Sequence, residues 1–157
     1  MTHFQGTTDA TGLRIAIVVS RREAAVDMGR PPVLLHAVGS RPGADESGKM
    51  LWSRSPRLKP RDVDVAEVYD GWSILSLLWL EALGLCGPGE AAKFVEGGER
   101  ITRGGELPIN TSGGQLSAGR LHGYLQTYEA CLQLTGHLQH ARACEAARRH
   151  LLGGAAP

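Results

Sequence analysis

Short apolar blocks separated by glycine set the rhythm of this chain. Residues 13–20 form a β-branched run (LRIAIVVS) and predict a strand buried on both faces in its C-terminal half. Residues 21–28 predict a short helix stopped by Gly29 and Pro31-Pro32. A second apolar run, 33–38, predicts another strand. Residues 41–49, rich in Gly, Asp, Glu and Ser, predict a polar loop. Residues 49–61 carry five cations and no carboxylate, with Pro56 and Pro60, and read as a loop or as a short helix ending before Pro56. Residues 66–69 predict a strand, with Asp70-Gly71 as the turn out of it. Residues 72–83 then predict a helix apolar nearly all round, hence buried on most sides, capped by Asp70 and ended by Gly84 and Gly87-Pro88.

The second half follows the same logic. Residues 91–95 predict a helical turn. The pairs Gly97-Gly98 and Gly104-Gly105 bracket an extended segment. Residues 107–110 predict a short strand, and Thr111-Ser112-Gly113-Gly114 a glycine turn. Residues 121–136 predict a strong helix with Leu125, Tyr128, Cys131, Leu132 and Leu134 at near-helical spacing and Gly136 as its stop. Residues 137–152, rich in Ala and Arg, predict a last helix. Strands alternating with helices argue for an α/β fold in which a mixed β-sheet is layered with helices. No internal repeat is visible.

Composition narrows the classes. At 157 residues the chain fits one domain able to bury about 70% of its unfolded surface. The formal charge of +1 argues against nucleic-acid binding by charge. No apolar run reaches the roughly 18 residues of a membrane span, and residues 1–9 are polar, without a leader-like apolar core. Cys86, Cys131 and Cys144 form no metal-ligand spacing, and an odd count reads as reduced thiols in a cytoplasm. No metal site is expected.

Two constellations carry candidate chemistry. In the first, Tyr69 and Asp70 stand at a strand end that feeds a helix, where ligands gather in α/β sheets. A phenol and a carboxylate there suit acid–base work. The simpler reading makes Asp70 a helix cap and Tyr69 a half-buried core residue. The second runs from Asn110 through Ser112, Gly113, Gly114 and Gly119 to Arg120, His122 and Tyr124. Its glycines let backbone approach a ligand, and a helix start suits an anion or a developing oxyanion. The simpler reading is a loop whose polar residues only cap the helix. Arg54, Arg57, Lys59 and Arg61 suit phosphates or, more simply, solvent. His137, His140 and His150 read as surface residues, and Cys86 and Cys131 as inert buried thiols.

Four blocks then carry a resemblance: DVAEVYD at 64–70, FVEGG at 94–98, LPINTSGG at 107–114 and GRLHGY at 119–124. In order and spacing they resemble the C-terminal half of thiolase-like proteins, over about residues 9–136. Within these they resemble the sterol-carrier or lipid-transfer type, on the steroid side-chain aldolase branch. The resemblance implies two similar α/β halves, each with a mixed sheet and helices on both faces, assembled as dimers or tetramers. It makes residues 1–31 a remnant of the end of the first half, 32–136 the C-terminal domain, and 137–157 a divergent helical tail.

The resemblance also implies what departs from thiolase chemistry. Tyr69 stands where thiolases carry Asn, or His in sterol-carrier types. Arg120-Leu121 replaces the His-Pro of the G-H-P block. The nucleophilic Cys would belong to an N-terminal half that this chain lacks, and Cys144 is no replacement for the last thiolase cysteine. With a complementary N-terminal half, what remains would serve retro-aldol or acyl-transfer chemistry on a CoA thioester in lipid or steroid side-chain degradation. The retro-aldol step fits better, with Tyr124 as base or proton shuttle, His122 and Arg120 supporting it, and Tyr69 and Asp70 facing the same pocket. Asn110, Ser112, Gly113, Gly114, Gly119 and Arg120 would bind substrate. The implied partners are an acyl-CoA substrate, which takes the place of a cofactor, and either a second copy, a thiolase N-terminal half or an OB-fold protein. The alternatives are a non-catalytic interaction or lipid-binding subunit and a truncated, inactive fragment.

Overall fold

The computed structural model describes residues 2–5, 16–20, 22–26 and 32–135. Strand β1 (Thr2–Gln5) pairs antiparallel with β2 (Ala16–Val19), Thr2 facing Val19 and Gln5 facing Ala16. The predicted strand at 13–20 is thus present in its β-branched second half, and α1 (Arg22–Val26) follows it. Residues 33–38 are not a strand. They run without regular pairing, with Val33, Leu35 and Val38 exposed.

The polar stretch expected as a loop at 41–49 is instead the start of helix α2 (Ala44–Arg54). Asp45 and Glu46 in its first turn and Arg54 in its last complement the helix dipole. Its buried face is small, not apolar, so no hydrophobic stripe announced it: Ser47 and Gly48 are buried. A side chain at Gly48 would place its Cβ 2.0 Å from the carbonyl of Ala82, so glycine is what lets α2 lie against the next helix. The Trp52 Nε1–H donates to the Leu83 carbonyl across the same contact at 3.0 Å.

Helix α3 (Ser73–Ala82) matches the predicted span, and its end matches too. The Gly84 N–H reaches the Glu81 carbonyl and the Leu85 N–H reaches back to Leu80, with Gly84 at φ 67. This paired closure is the left-handed glycine stop the sequence implied. The start and the burial differ. Trp72, not Asp70, precedes the first turn, without a side-chain cap. Leu80 is fully buried, whereas Trp72 (74% exposed), Ile74 and Leu78 face outward. One face packs toward α2 and toward α4 (Ala91–Val95), and the other lies open.

The segments at 66–70 and 107–110 run side by side, but their pairing is confined to one parallel bridge, Ala66 to Ile109. Pro108 has no N–H to give a ladder, and Asn110 turns away at φ 47. Among the described residues, the β1–β2 pair and this bridge are the sheet pairing present, so helices and turns dominate where a layered mixed sheet was expected. The hydrophobic core comprises Ala66, Val68, Leu80, Ala91, Phe94 and Leu107. After it come α5 (Gly114–Ala118) and α6 (Tyr124–Thr135), with Leu121 and Leu125 forming a smaller cluster between them. The predicted last helix, the three histidines on it and Cys144 lie outside the described residues.

Candidate functional site

Alternation along the 66–70 segment sorts its residues. Ala66, Val68 and Asp70 are buried, and Glu67 and Tyr69, half-buried, belong to the other face. Asp70 is only 4% exposed and is fully engaged. Its Oδ1 accepts the backbone N–H of Gln115 at 2.8 Å and the Gln126 Nε2–H at 3.1 Å, and its Oδ2 accepts the Leu116 N–H at 3.4 Å. The residue expected to cap α3 therefore caps α5, 45 residues on, and ties in the first turn of α6. A short carboxylate can do this because Gly114 comes so close: a Cβ there would sit 2.0 Å from Asp70 Oδ2. Gly114 also has φ 64 and follows Gly113 at φ 93.

Asn110 closes the other side of the same turn. Its Oδ1 accepts the Val68 N–H at 2.8 Å while its own N–H donates to the Ala66 carbonyl. Its left-handed φ is one that Asn tolerates. Ser112 Oγ accepts the Gly114 N–H at 3.3 Å. Asn110, Ser112, Gly113 and Gly114, named from sequence as substrate binders, thus build the turn itself.

The 119–124 segment is contorted in a way that composition only hinted at. Gly119 and Gly123 lie at φ 108 and 86, and His122 at φ 49, a conformation uncommon for a residue with a side chain. Arg120 and His122 are exposed. Tyr124 opens α6 and packs against the Leu121–Leu125 cluster. Tyr69 folds back over Gly71, where a Cβ would meet its hydroxyl at 2.6 Å. The structure joins the two constellations through Asp70 and Gln126, two residues beyond Tyr124.

Sequence reasoning missed a second polar cluster beside this joint. The Thr111 N–H and hydroxyl both reach Glu67 Oε1, at 2.9 and 2.7 Å. The same hydroxyl oxygen lies 2.5 Å from Glu129 Oε1 and accepts the Gln133 Nε2–H at 2.8 Å. The Arg103 guanidinium donates to the Thr111 carbonyl. Burial pushes the Glu67 carboxyl above the usual carboxylate range. The Thr111 hydrogen bonds oppose that shift, and the nearby charges of Glu129 and Asp70 add to it. The available signal was the spacing of Gln126, Glu129 and Gln133, which puts three polar residues on one helical face. That face is buried, whereas Tyr128, expected inside, is exposed.

Other sequence candidates lie apart from this joint. Arg54 donates to the Val38 carbonyl, and Arg57, Lys59 and Arg61 are exposed. Burial raises the thiols of Cys86 and Cys131 above their ordinary value, which keeps them poor nucleophiles. Among the described residues, no cluster of three metal-ligating side chains occurs, and no helix is long and apolar enough to cross a membrane.

Comparison with known proteins places this geometry. The family model described as thiolase C-terminal domain-like matches residues 39–156. A Mycobacterium tuberculosis protein named 17-hydroxy-3-oxo-4-pregnene-20-carboxyl-CoA lyase is 38% identical over 141 residues, covering 78% of this chain and 36% of its own length. Sterol carrier protein 2 of Gallus gallus is 43% identical over 106 residues, covering 62% of this chain and 19% of its own. Among solved structures, one titled Ltp2-ChsH2(DUF35) aldolase superposes with a TM-score of 0.67 at 31% identity, covering 80% of this chain and 36% of that one. The chain therefore spans little more than a third of the longer lyase and aldolase chains, and less of the sterol carrier protein. The blocks at 64–70, 94–98, 107–114 and 119–124 all fall within the matched family region, and this chain belongs to the thiolase C-terminal domain-like family.

Proposed function

We propose that this domain contributes to retro-aldol cleavage of an acyl-CoA thioester in lipid or steroid side-chain degradation, together with a complementary thiolase-like N-terminal half. The supporting observation is the Asp70 joint, which ties the Tyr69 segment, the glycine turn and the start of the Tyr124 helix together. The names of the lyase and aldolase relatives point to the same reaction class. In this reading a base takes the proton of the substrate β-hydroxyl. The Cα–Cβ bond then breaks, leaving a carbonyl compound and the thioester enolate, which is protonated at Cα. Tyr124 is the base or proton shuttle, and Tyr69 faces the same substrate. Exposed Arg120 and His122 are available to the CoA end of the ligand or to its phosphates. Asp70 is a positioning residue, since its oxygens are already occupied. Acyl transfer is the less fitting chemistry, because Arg120-Leu121 stands where the thiolase block carries His-Pro, and that His is what would activate a thiol nucleophile.

The test is a cleavage assay of a β-hydroxyacyl-CoA by this chain assembled with a thiolase-like N-terminal half or an OB-fold-type partner. Tyr124→Phe should lower kcat by about 10²–10⁴-fold, the usual range for a lost general base. Unchanged turnover in that variant would remove Tyr124 from the chemistry. A second reading, a non-catalytic interaction subunit, is favoured by the open apolar face of α3 at Trp72, Ile74 and Leu78. It would be supported if the assembly forms but binds no CoA thioester.

A further inference from the structure

The Thr111 hydroxyl has one proton to give and room to accept two. It is in contact with two carboxyl oxygens, Glu67 Oε1 and Glu129 Oε1, and its oxygen already accepts the Gln133 N–H. It donates to one carboxyl only. The other contact, at hydrogen-bond distance and beside the Gln133 N–H that also reaches Glu129 Oε1 at 3.1 Å, is a full hydrogen bond when one of the two carboxyls brings a proton of its own. We propose that Glu67 and Glu129 hold a single proton between them across Thr111, and that this shared proton makes them positioning residues which fix the glycine turn 110–114 against α6.

Several observations agree. Glu129 and Gln133 are buried, Gln133 to 3% exposure, so the second carboxyl has little solvent to screen its neighbour. Glu67 Oε2 and Gln133 Oε1 are buried with no partner in the structure. A fully ionised pair would leave still more uncompensated charge beside them. The facing groups come from three elements. Asp70 lies on the Glu67 segment, Glu129 on α6, and Arg103 approaches from the preceding loop but is held on the Thr111 carbonyl. The local balance is therefore acidic. Burial and Glu129 raise the folded-state pKa of Glu67. The sign follows: the contribution of Glu67 to stability is fully present below the ordinary carboxylate pKa of about 4.3 and is lost as pH rises through the higher folded value.

The inference concerns the same turn as the proposed reaction, but its test does not depend on turnover. Infrared difference spectra of the intact chain, taken as pH is raised from about 4.3, should show the C=O stretch of a neutral carboxylic acid persisting after the bands of the ordinary carboxyls have gone. The band should be absent from the double variant Glu67→Gln/Glu129→Gln. A wild-type spectrum without that band overturns the proposal, whatever the aldolase assay shows. Should the double variant fail to fold, the pH dependence of the wild-type melting temperature decides. Taken relative to the single variant Glu67→Gln, so that Glu81 and the other titrating groups cancel, that temperature should fall from about pH 4.3 upward, and a difference that stays flat or rises contradicts the shared proton. Conversely, a wild-type band accompanied by no thioester cleavage leaves the proton pair standing and removes only the proposed reaction.

Discussion

Two interiors lie side by side in this domain and are built on opposite principles. Around Leu80, six apolar side chains exclude water with no directional requirement. Around Asp70 and Thr111, the buried groups are Asp70, Thr111, Gln115, Gln126, Glu129 and Gln133, six of the eight buried polar residues among those described. The first interior tolerates small shifts, because dispersion and burial depend weakly on angle. The second fixes geometry, because each hydrogen bond demands a partner at a set distance, and a lost partner leaves a group stranded. The difference teaches how the two interiors divide the fold. The apolar interior holds the helices together, and the polar one holds the Tyr69 segment, the glycine turn and the Tyr124 helix in register.

Substitutions can break this contrast, beginning with the largest effect. Leu80→Ala should cost about 3–5 kcal/mol, the upper part of the range for a fully buried leucine. Chemical denaturation checks it, and a loss below about 1 kcal/mol would mean the apolar interior is not where stability resides. Asp70→Ala strands the N–H groups of Gln115 and Leu116 and the Gln126 amide, and should cost about 3 kcal/mol. Unlike Leu80→Ala, it should disturb α5 and the start of α6 more than α2 or α3, as resolved by amide exchange. Smallest is Arg100→Ala. Its pair with Glu106 at 2.8 Å is exposed, so denaturation should register less than about 1 kcal/mol, including its stacking on Phe94.

The same contrast explains what could be read in the sequence. Apolar periodicity located α3, α6 and β2 as elements, but not their buried faces: in α6 the buried side carries Gln126, Glu129 and Gln133, and Val19 of β2 is exposed. It missed the first turns of α2, whose buried face is Ser47 and Gly48, although a helix ending before Pro56 was one of the two readings of residues 49–61, and it overstated the burial of α3, since a run of apolar residues does not say which face finds a neighbour. The strands expected at 66–69 and 107–110 run side by side but are scarcely paired, because Pro108 and the turn at Asn110 interrupt the ladder. The motif blocks were legible in the sequence, and their family assignment follows from the matched region. The partners of each residue were not. Asp70 lies next to α3 in sequence yet caps α5, and Glu67 meets Glu129 across 62 positions. Long-range polar pairing carries no periodic signal.

The central claim is that Asp70 is the joint between the two constellations. Amide hydrogen exchange at Gln115, compared between the wild type and Asp70→Ala, tests it most directly. Loss of a hydrogen bond to a charged acceptor should speed exchange at Gln115 by about tenfold or more while the amides of α3 keep their protection. Equal protection of Gln115 in both proteins would show that the turn and the helix are held by something else, and the shared site would lose its physical basis.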